Sequence, residues 1–206
     1  MLKIRHSDVY NFENALRGAR NPMNSWGRMD SSTDESGNFI LGDNDRKLAL
    51  ALCKAGSDHR KFLRQIFVCM DIDAPLYWWK EFDTYKVATT ANSASTMHKI
   101  HSKAFTLEDF SHEHLSEEGV EVLGRTILYL EKVRLTYNEN KDKQDWWDLI
   151  QLLPTSYNQL RTVTLSYETL RNQYHARKDH KLDEWHTYCD FIADLPYGKE
   201  FIVGQE

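Results

Sequence analysis

The residues between Asp83 and Lys99 are the first in this sequence whose types suggest chemistry. The stretch reads DTYKVATTANSASTMHK, so small hydroxyl and amide side chains lie between Lys86 and Lys99. Small residues let a ligand approach the backbone, Ser, Thr and Asn hydrogen-bond phosphate oxygens or base edges, and lysine adds positive charge. Arg171 and Arg177 would bring guanidinium groups from another helix. Two interpretations remain open: a binding site for a phosphorylated small ligand, or tight packing of small residues.

The histidines are numerous but are not spaced as metal ligands. Nine are present, and the densest pairs are His112 with His114 and His175 with His180. Spacings of two and five residues put the members of each pair on different faces of a helix, so neither pair could share one ion. Glycine-rich phosphate-binding motifs and the Gly-x-Ser-x-Gly elbow of hydrolases are absent. We therefore predict no metal site and assign no catalytic residue.

A strand and a helix directly precede the small-residue stretch and must position it. The segment RQIFVCMDID alternates apolar residues and predicts a strand that ends at Pro75. LYWWKEFDTYK then predicts a helix whose Leu76, Trp79 and Phe82 face one way. Tyr77 and Trp78 leave aromatic area for a second surface, which suggests a subunit contact or a stacked ligand.

The rest of the chain is mostly helical in pattern. A short helix in VYNFENALRG and a long loop come first, followed by a helix that begins at Asp43 or Asn44 and stops at Gly56. TVTLS is the other clear strand, and Thr164 or Ser166 would cap the helix after it. These patterns predict an α+β fold with more helix than strand. Further helices are indicated by the spacing of Val120, Leu123, Ile127, Leu130 and Val133, by WWDLIQLLP, and by Leu182, Trp185, Cys189 and Ile192.

Length and charge limit the class of protein. With 206 residues we expect a single domain, 1–206, in which 1–40 hold the N-terminal helix and long loop and 41–206 form the core. A net charge of −5 argues against sequence-independent nucleic-acid binding. Three scattered cysteines suggest a reducing compartment, and no signal peptide or membrane span is visible, so we expect a cytoplasmic protein.

The segment FVCMDIDAPLYWWKEFDTYKVATTANSASTMHK resembles the core of the flavin-dependent thymidylate synthases, also called thymidylate synthase complementing proteins. That family carries Arg-Gln, then Arg-His-Arg, then Asn-Glu and a Ser. Here Lys80 and Glu81 stand for Arg-Gln, while Thr84, Tyr85 and Lys86 replace Arg-His-Arg. The sequence is also similar to an uncharacterised bacterial and phage group. The counterparts of Asn-Glu and of the Ser are Asn92, Ser93 and Ser95.

A second block carries the same resemblance. LLPTSYNQLRTVTLSYETLRNQYHARKDHKLDEW is similar to the family's C-terminal part, in which a Leu-Pro precedes a strand and an arginine-bearing helix, and Arg177 is the best counterpart of that arginine. The likeness runs from about Gly56 to Trp185. It implies the family's α+β fold with a small sheet, and a homotetramer with sites between subunits.

The resemblance also implies ligands. FAD and dUMP are the family's cofactor and substrate, but the replaced signature removes two guanidiniums and an imidazole, so flavin chemistry is expected to be altered or lost. We expect a deoxynucleotide-binding homologue with a dUMP-like pocket, with Lys86 and Arg177 on phosphate and Tyr85 stacking. The alternatives are an active flavin-dependent methyltransferase that makes dTMP or a modified pyrimidine nucleotide, and a non-enzymatic oligomeric interaction protein. The expected nucleotide contacts are Tyr85, Lys86, Asn92, Ser93, Ser95 and Arg177, and the expected cofactor contacts are Lys80, Lys86, His98 and Arg171.

Overall fold

The structure, a computed structural model, describes residues 2–205. Short 3-10 turns and a π-helical turn at Lys199–Val203 join or follow the regular elements. The strands are β1 Lys3–Tyr10, β2 Ser32–Thr33, β3 Phe39–Ile40, β4 Phe67–Pro75, β5 Thr89–Ser93 and β6 Asn158–Ser166. The helices are α1 Phe12–Ala19, α2 Asp43–Lys54, α3 Leu76–Phe82, α4 Glu117–Asn140, α5 Lys143–Gln151, α6 Tyr167–Arg177 and α7 Asp183–Ala193.

The strands form a four-stranded sheet in the order β1-β4-β6-β5 and a separate β2–β3 hairpin. The predicted class, α+β with more helix than strand and a small sheet, is confirmed.

The chain divides into two compact units, each built from separate stretches. Unit 1 contains the chain up to Lys3, Ile72–Thr84 and Asn92–Thr162, and unit 2 contains Ile4–Asp71, Tyr85–Ala91 and the chain from Val163 onward.

The predicted strand before Pro75 is β4, and its burial alternates as the sequence indicated. The helix that follows differs from the prediction in one respect. Trp78 and Trp79 are both buried, and Trp78 lies 4.9 Å from Trp79 and 5.1 Å from Phe82 between ring centroids. Trp78 therefore does not supply the second aromatic surface expected here, and Tyr77 is half-buried.

The core of unit 1 is built on the long helix. Leu123, Ile127, Leu130 and Val133 of α4 are buried as predicted, and they pack with Ile100, Phe105, Phe110 and Leu149. Ser116 caps α4 by accepting a hydrogen bond from the Gly119 N–H. Only a short link joins the next helix, because α4 extends to Asn140 and Asp142 already caps α5.

The N-terminal region contains more structure than a helix and a long loop. Strand β1 precedes α1, and the β2–β3 hairpin interrupts the loop. Helix α2 has Gly42 at its N-cap, not Asp43 or Asn44. Its free N–H groups at Asn44 and Asp45 donate instead to the carboxylate of Asp30, at 2.8 and 3.0 Å. A Cβ at Gly42 would lie 2.3 Å from that carboxylate, so this cap needs glycine.

The last two predicted helices are α6 and α7, and both are confirmed. Ser166, one of the two predicted caps, accepts a hydrogen bond from the Thr169 N–H at 3.2 Å. Trp185, Cys189 and Ile192 of α7 are buried as their spacing indicated. Among residues 2–205, no helix has the length and apolar character needed to cross a lipid bilayer.

Candidate functional site

The residues expected to contact ligands fall in both units. Helix α3, the end of β5 and the segment after it carry those of unit 1, whereas the 85–91 segment and α6 carry those of unit 2. Unit 1 holds Lys80, Asn92, Ser93, Ser95 and His98, and unit 2 holds Tyr85, Lys86, Arg171 and Arg177.

Ser95 lines a cavity of about 200 Å³ in unit 1, which we call the Ser95 pocket. Its hydroxyl oxygen accepts hydrogen bonds from the N–H groups of Met97 and His98, at 3.2 and 2.8 Å. The turn therefore fixes the position of the hydroxyl and leaves its proton available to a ligand. The pocket is lined by Ala94, Ser95, Lys99, Ile100, Ser102, Lys103, Ala104, Phe105, Asp109 and Tyr157.

Lys103 and Asp109 form an ion pair in the wall of this pocket. The Lys103 Nζ lies 2.6 Å from an Asp109 carboxylate oxygen, and Asp109 also accepts from the N–H and hydroxyl of Thr106. Burial opposes ionisation of Asp109, but these hydrogen bonds outweigh it and lower its pKa. The same bond raises the pKa of Lys103. The charge of Lys103 is therefore already balanced.

Lys99 contributes positive charge to the pocket that no carboxylate balances. Within residues 2–205, its ammonium group forms no ion pair or side-chain hydrogen bond. Burial and then the charges of Lys141, Lys99 and Arg134 lower the pKa of His101. These three cations therefore lie close enough to His101 to disfavour its charged form.

A second arrangement, the Arg161 network, supports the segment that leads into the pocket. Arg161 Nε donates to Gln159 Oε1 at 3.0 Å, and Gln159 Nε2 donates to the Ala94 carbonyl at 2.7 Å. Arg161 also pairs with Asp83 at 2.8 Å, and its guanidinium lies 4.3 Å from the Trp79 ring centroid. One arginine therefore links Asp83, where the small-residue stretch begins, to Ala94, beside Ser95.

The other predicted residues of unit 1 remain at the surface. Asn92 and Ser93 are exposed at the end of β5, close in sequence to Ser95. Lys80 and His98 are also exposed. Ser95 is exposed as well, but it lines the cavity described above.

Unit 2 brings Tyr85 and Arg177 together, although they are far apart in sequence. Arg177 Nε donates to the Tyr85 hydroxyl at 3.0 Å. The guanidinium carbon lies 5.6 Å from the Tyr85 ring centroid and 5.0 Å from that of buried Trp185. Thr169 also holds the 85–91 segment, since its hydroxyl donates to the Val87 carbonyl at 3.0 Å. This Arg177 cluster presents a guanidinium held between two aromatic rings.

Arg171 does not join that cluster. Its Nη1 donates to the backbone carbonyls of Phe201 and Ile202, at 2.9 and 3.3 Å. Burial lowers the pKa of Arg171. The side chain thus satisfies carbonyls near the end of the chain, which gives it a structural role that the sequence did not indicate. Lys86 is exposed on the 85–91 segment.

Sequence reasoning missed Lys103, Asp109, Tyr157, Gln159 and Arg161. Thr106 and Asp109 form a capping box, whose Thr-x-x-Asp spacing was visible in the sequence. Gln159 and Arg161 are two apart in a strand, which puts two polar side chains on one face. No sequence signal joined them to Asp83 or Ala94.

Two arrangements typical of catalytic sites, a metal centre and an activated serine, were sought among the described residues. Among residues 2–205, no three His, Cys, Asp or Glu side chains are grouped to hold a metal ion. Ser95 makes no hydrogen bond to a histidine that would activate it as a nucleophile. The arrangement is suited to binding an anion through a hydroxyl and an ammonium group.

Comparison with known proteins shows likeness in structure alone. No family model matches the sequence, and no curated protein matches it. A structure of thymidylate synthase X (ThyX) from Helicobacter pylori with FAD and dUMP superposes with a TM-score of 0.71 at 16% identity, covering 98% of this chain and 97% of that one. A second complex of the flavin-dependent H. pylori enzyme gives 0.69 at 16% identity, covering 100% and 99%.

A third structure extends the comparison to another enzyme. The UMP/dUMP methylase PolB from Streptomyces cacaoi, bound with 5-Br dUMP, superposes with a TM-score of 0.56 at 12% identity. The match covers 83% of this chain and 75% of that one. The chain therefore has the fold of the flavin-dependent thymidylate synthases, as the sequence resemblance predicted.

Proposed function

We propose that this protein binds a pyrimidine deoxynucleotide of the dUMP type, with a phosphate group in the Ser95 pocket. The observation that carries the proposal is that pocket, whose wall includes both Ser95 and Lys99. It lies in a chain whose fold matches, over 98% of its length, an enzyme solved with FAD and dUMP. A cavity of about 200 Å³ is smaller than a typical drug-sized site, so it would hold one part of the nucleotide.

The remaining expected contacts are considered within each unit. In unit 1, Asn92 and Ser93 lie beside the pocket in sequence and offer amide and hydroxyl groups. In unit 2, the Arg177 cluster is the alternative place for the phosphate: it offers a guanidinium, Tyr85 offers a ring for stacking, and Lys86 adds a charge. We assign each of these roles by residue, so each can be tested by its own substitution.

The residues of this chain support flavin binding less well than nucleotide binding. FAD would supply redox chemistry if it bound, and Lys80, Lys86, His98 and Arg171 were its expected contacts. Arg171 is engaged by two backbone carbonyls, and Lys80, Lys86 and His98 are exposed. These side chains form no cradle for the cofactor within either unit. We therefore propose nucleotide binding in which flavin is bound weakly or not at all.

Thermal unfolding with added ligands tests the proposal. A nucleotide at a hundredfold excess over its Kd stabilises a folded protein by about 2.7 kcal/mol, which for a chain of this size raises Tm by about 5 to 10 °C. We expect this shift with dUMP, a smaller one with deoxyuridine, and little with FAD. Lys99→Met and Ser95→Ala should weaken dUMP binding, whereas Lys47→Met, an exposed lysine of α2, should not.

The outcomes separate the alternatives. Purified protein that carries flavin, or whose Tm rises strongly with FAD, would favour the active flavin-dependent methyltransferase. A Tm unaffected by millimolar dUMP, dTMP and FAD would refute nucleotide binding. If Lys99→Met binds dUMP normally while Arg177→Met does not, the phosphate contact lies in unit 2 instead.

A further inference from the structure

Strand β1 is an open edge of the four-stranded sheet. Its one neighbour in the sheet is β4, and six of its eight side chains are exposed. The unpaired N–H and C=O groups of a long exposed edge strand are a template for another strand, and natural proteins normally protect or cover such an edge. β1 has no proline that would prevent pairing.

A bulge sorts the side chains of β1 onto two faces. His6 has φ of +50°, a left-handed conformation that interrupts the alternation of a strand. When the side chains of β1 are assigned to its two faces, His6 and Ser7 therefore count as a single position in the alternation. Ile4 and Val9, the two half-buried residues, consequently share one face. The opposite face carries Lys3, Arg5, Asp8 and Tyr10.

These residues make β1 complementary to itself. If a second copy runs antiparallel, with His6 opposite Ser7 of the partner subunit, Arg5 faces Asp8 of the partner subunit. In the same register Ile4 faces Val9 of the partner subunit. Parallel pairing in register would instead oppose like charges. The antiparallel pair obeys two-fold symmetry, so each favourable contact occurs twice.

We propose that β1 pairs with β1 of a second copy of this chain, joining the two sheets across a two-fold axis. Within residues 2–205, neither Arg5 nor Asp8 takes part in an ion pair. The Asp8 carboxylate accepts a hydrogen bond from the Tyr10 hydroxyl, which leaves its charge unpaired by any cation. The expected homotetramer would then be a pair of such dimers. The pairing needs no ligand and is independent of the proposed nucleotide site.

A charge swap tests the register. Arg5→Asp places a carboxylate opposite Asp8 of the partner subunit, and Asp8→Arg places a guanidinium opposite the partner subunit's Arg5. Each change turns two attractions into two repulsions, so each should raise the Kd for dissociation into half-mass species about tenfold or more. The double variant Arg5→Asp/Asp8→Arg restores opposite charges and should recover the wild-type Kd.

Sedimentation equilibrium over a range of protein concentrations measures these constants. Arg28→Asp and Glu35→Arg make the same charge changes at exposed positions of unit 2 and should leave the Kd unchanged. The wild type should also dissociate more readily at higher salt. A monomeric wild type, an assembly that neither single swap weakens, or a double variant as weak as the singles would each overturn the proposal.

Discussion

Replacing Arg161 by methionine should destabilise the protein measurably, because three contacts in unit 1 depend on its guanidinium. A hydrogen bond that involves a charged group is worth about 1.5 to 3 kcal/mol, and here Gln159 Oε1 would lose its donor. The contact with Trp79 adds about 0.5 to 1 kcal/mol. The pair with Asp83 adds less than about 1 kcal/mol, since that carboxylate is half exposed. Methionine keeps part of the packing, so we expect a loss of about 2 to 3 kcal/mol.

Urea unfolding followed by tryptophan fluorescence measures this loss. Arg161→Lys keeps a charge over Trp79 but cannot contact Gln159 and Asp83 at once, so it should lose about half as much. Arg125→Met, at an exposed position of α4, is the matched control and should change the free energy of unfolding by less than about 0.5 kcal/mol.

Hydrogen exchange gives a second, local readout of the same network. The Ala94 N–H donates to the Leu160 carbonyl at 2.9 Å, and its carbonyl is held by Gln159. Arg161→Met should therefore speed exchange at Ala94 more than at the α4 amides. If Arg161→Met is as stable as Arg125→Met and Ala94 keeps its protection, the network does not hold this segment and the reasoning is wrong.

Two further predictions concern stability. Asp30→Ala removes the carboxylate that caps α2 and should lower the free energy of unfolding by about 1 kcal/mol in a thermal melt, whereas Asp58→Ala, at an exposed position, should not. The lowered pKa of Asp109 contributes stability that is full above its unfolded pKa of about 3.9 and is lost as pH falls through the lower folded pKa. Asp109→Asn should therefore flatten the acid limb of the pH–stability curve, and an unchanged limb would contradict the assigned Lys103–Asp109 bond.

Local sequence patterns predicted the strands, helices and caps that depend on residues close together in sequence. The alternation before Pro75 became β4, the spacing of apolar residues became α4, and Ser166 is the cap of α6. β1 was missed for a physical reason. The bulge at His6 breaks the period of two, so KIRHSDVY shows no alternation that a sequence pattern could reveal.

Contacts between distant parts of the candidate site were predictable only where the family resemblance covered both parts of the chain. Tyr85 and Arg177 are 92 positions apart; residue type suggested Arg177 as a ligand contact, the resemblance added the stacking role of Tyr85, and the two side chains are in contact. Trp78 gave the wrong expectation, because helical spacing shows which faces of a helix are apolar but not how many neighbours cover them. Arg161 was missed because its partners Asp83 and Ala94 lie far away in sequence and in no shared motif.

The distribution of charge around Ser95 bears on which nucleotide the pocket would hold. Lys103 is balanced by Asp109, and Arg161 is balanced by Asp83. Lys99 is therefore, within residues 2–205, the cation of this pocket that no carboxylate pairs. A single ammonium and a cavity of about 200 Å³ match one phosphate group and not a chain of three, whose charges would need further cations. On this reasoning the nucleotide that we propose is a monophosphate, so dUMP should bind more tightly than dUTP. Equal affinity for dUMP and dUTP would contradict this reasoning, because the phosphates would then have to bind at a place with more cations than the Ser95 pocket has.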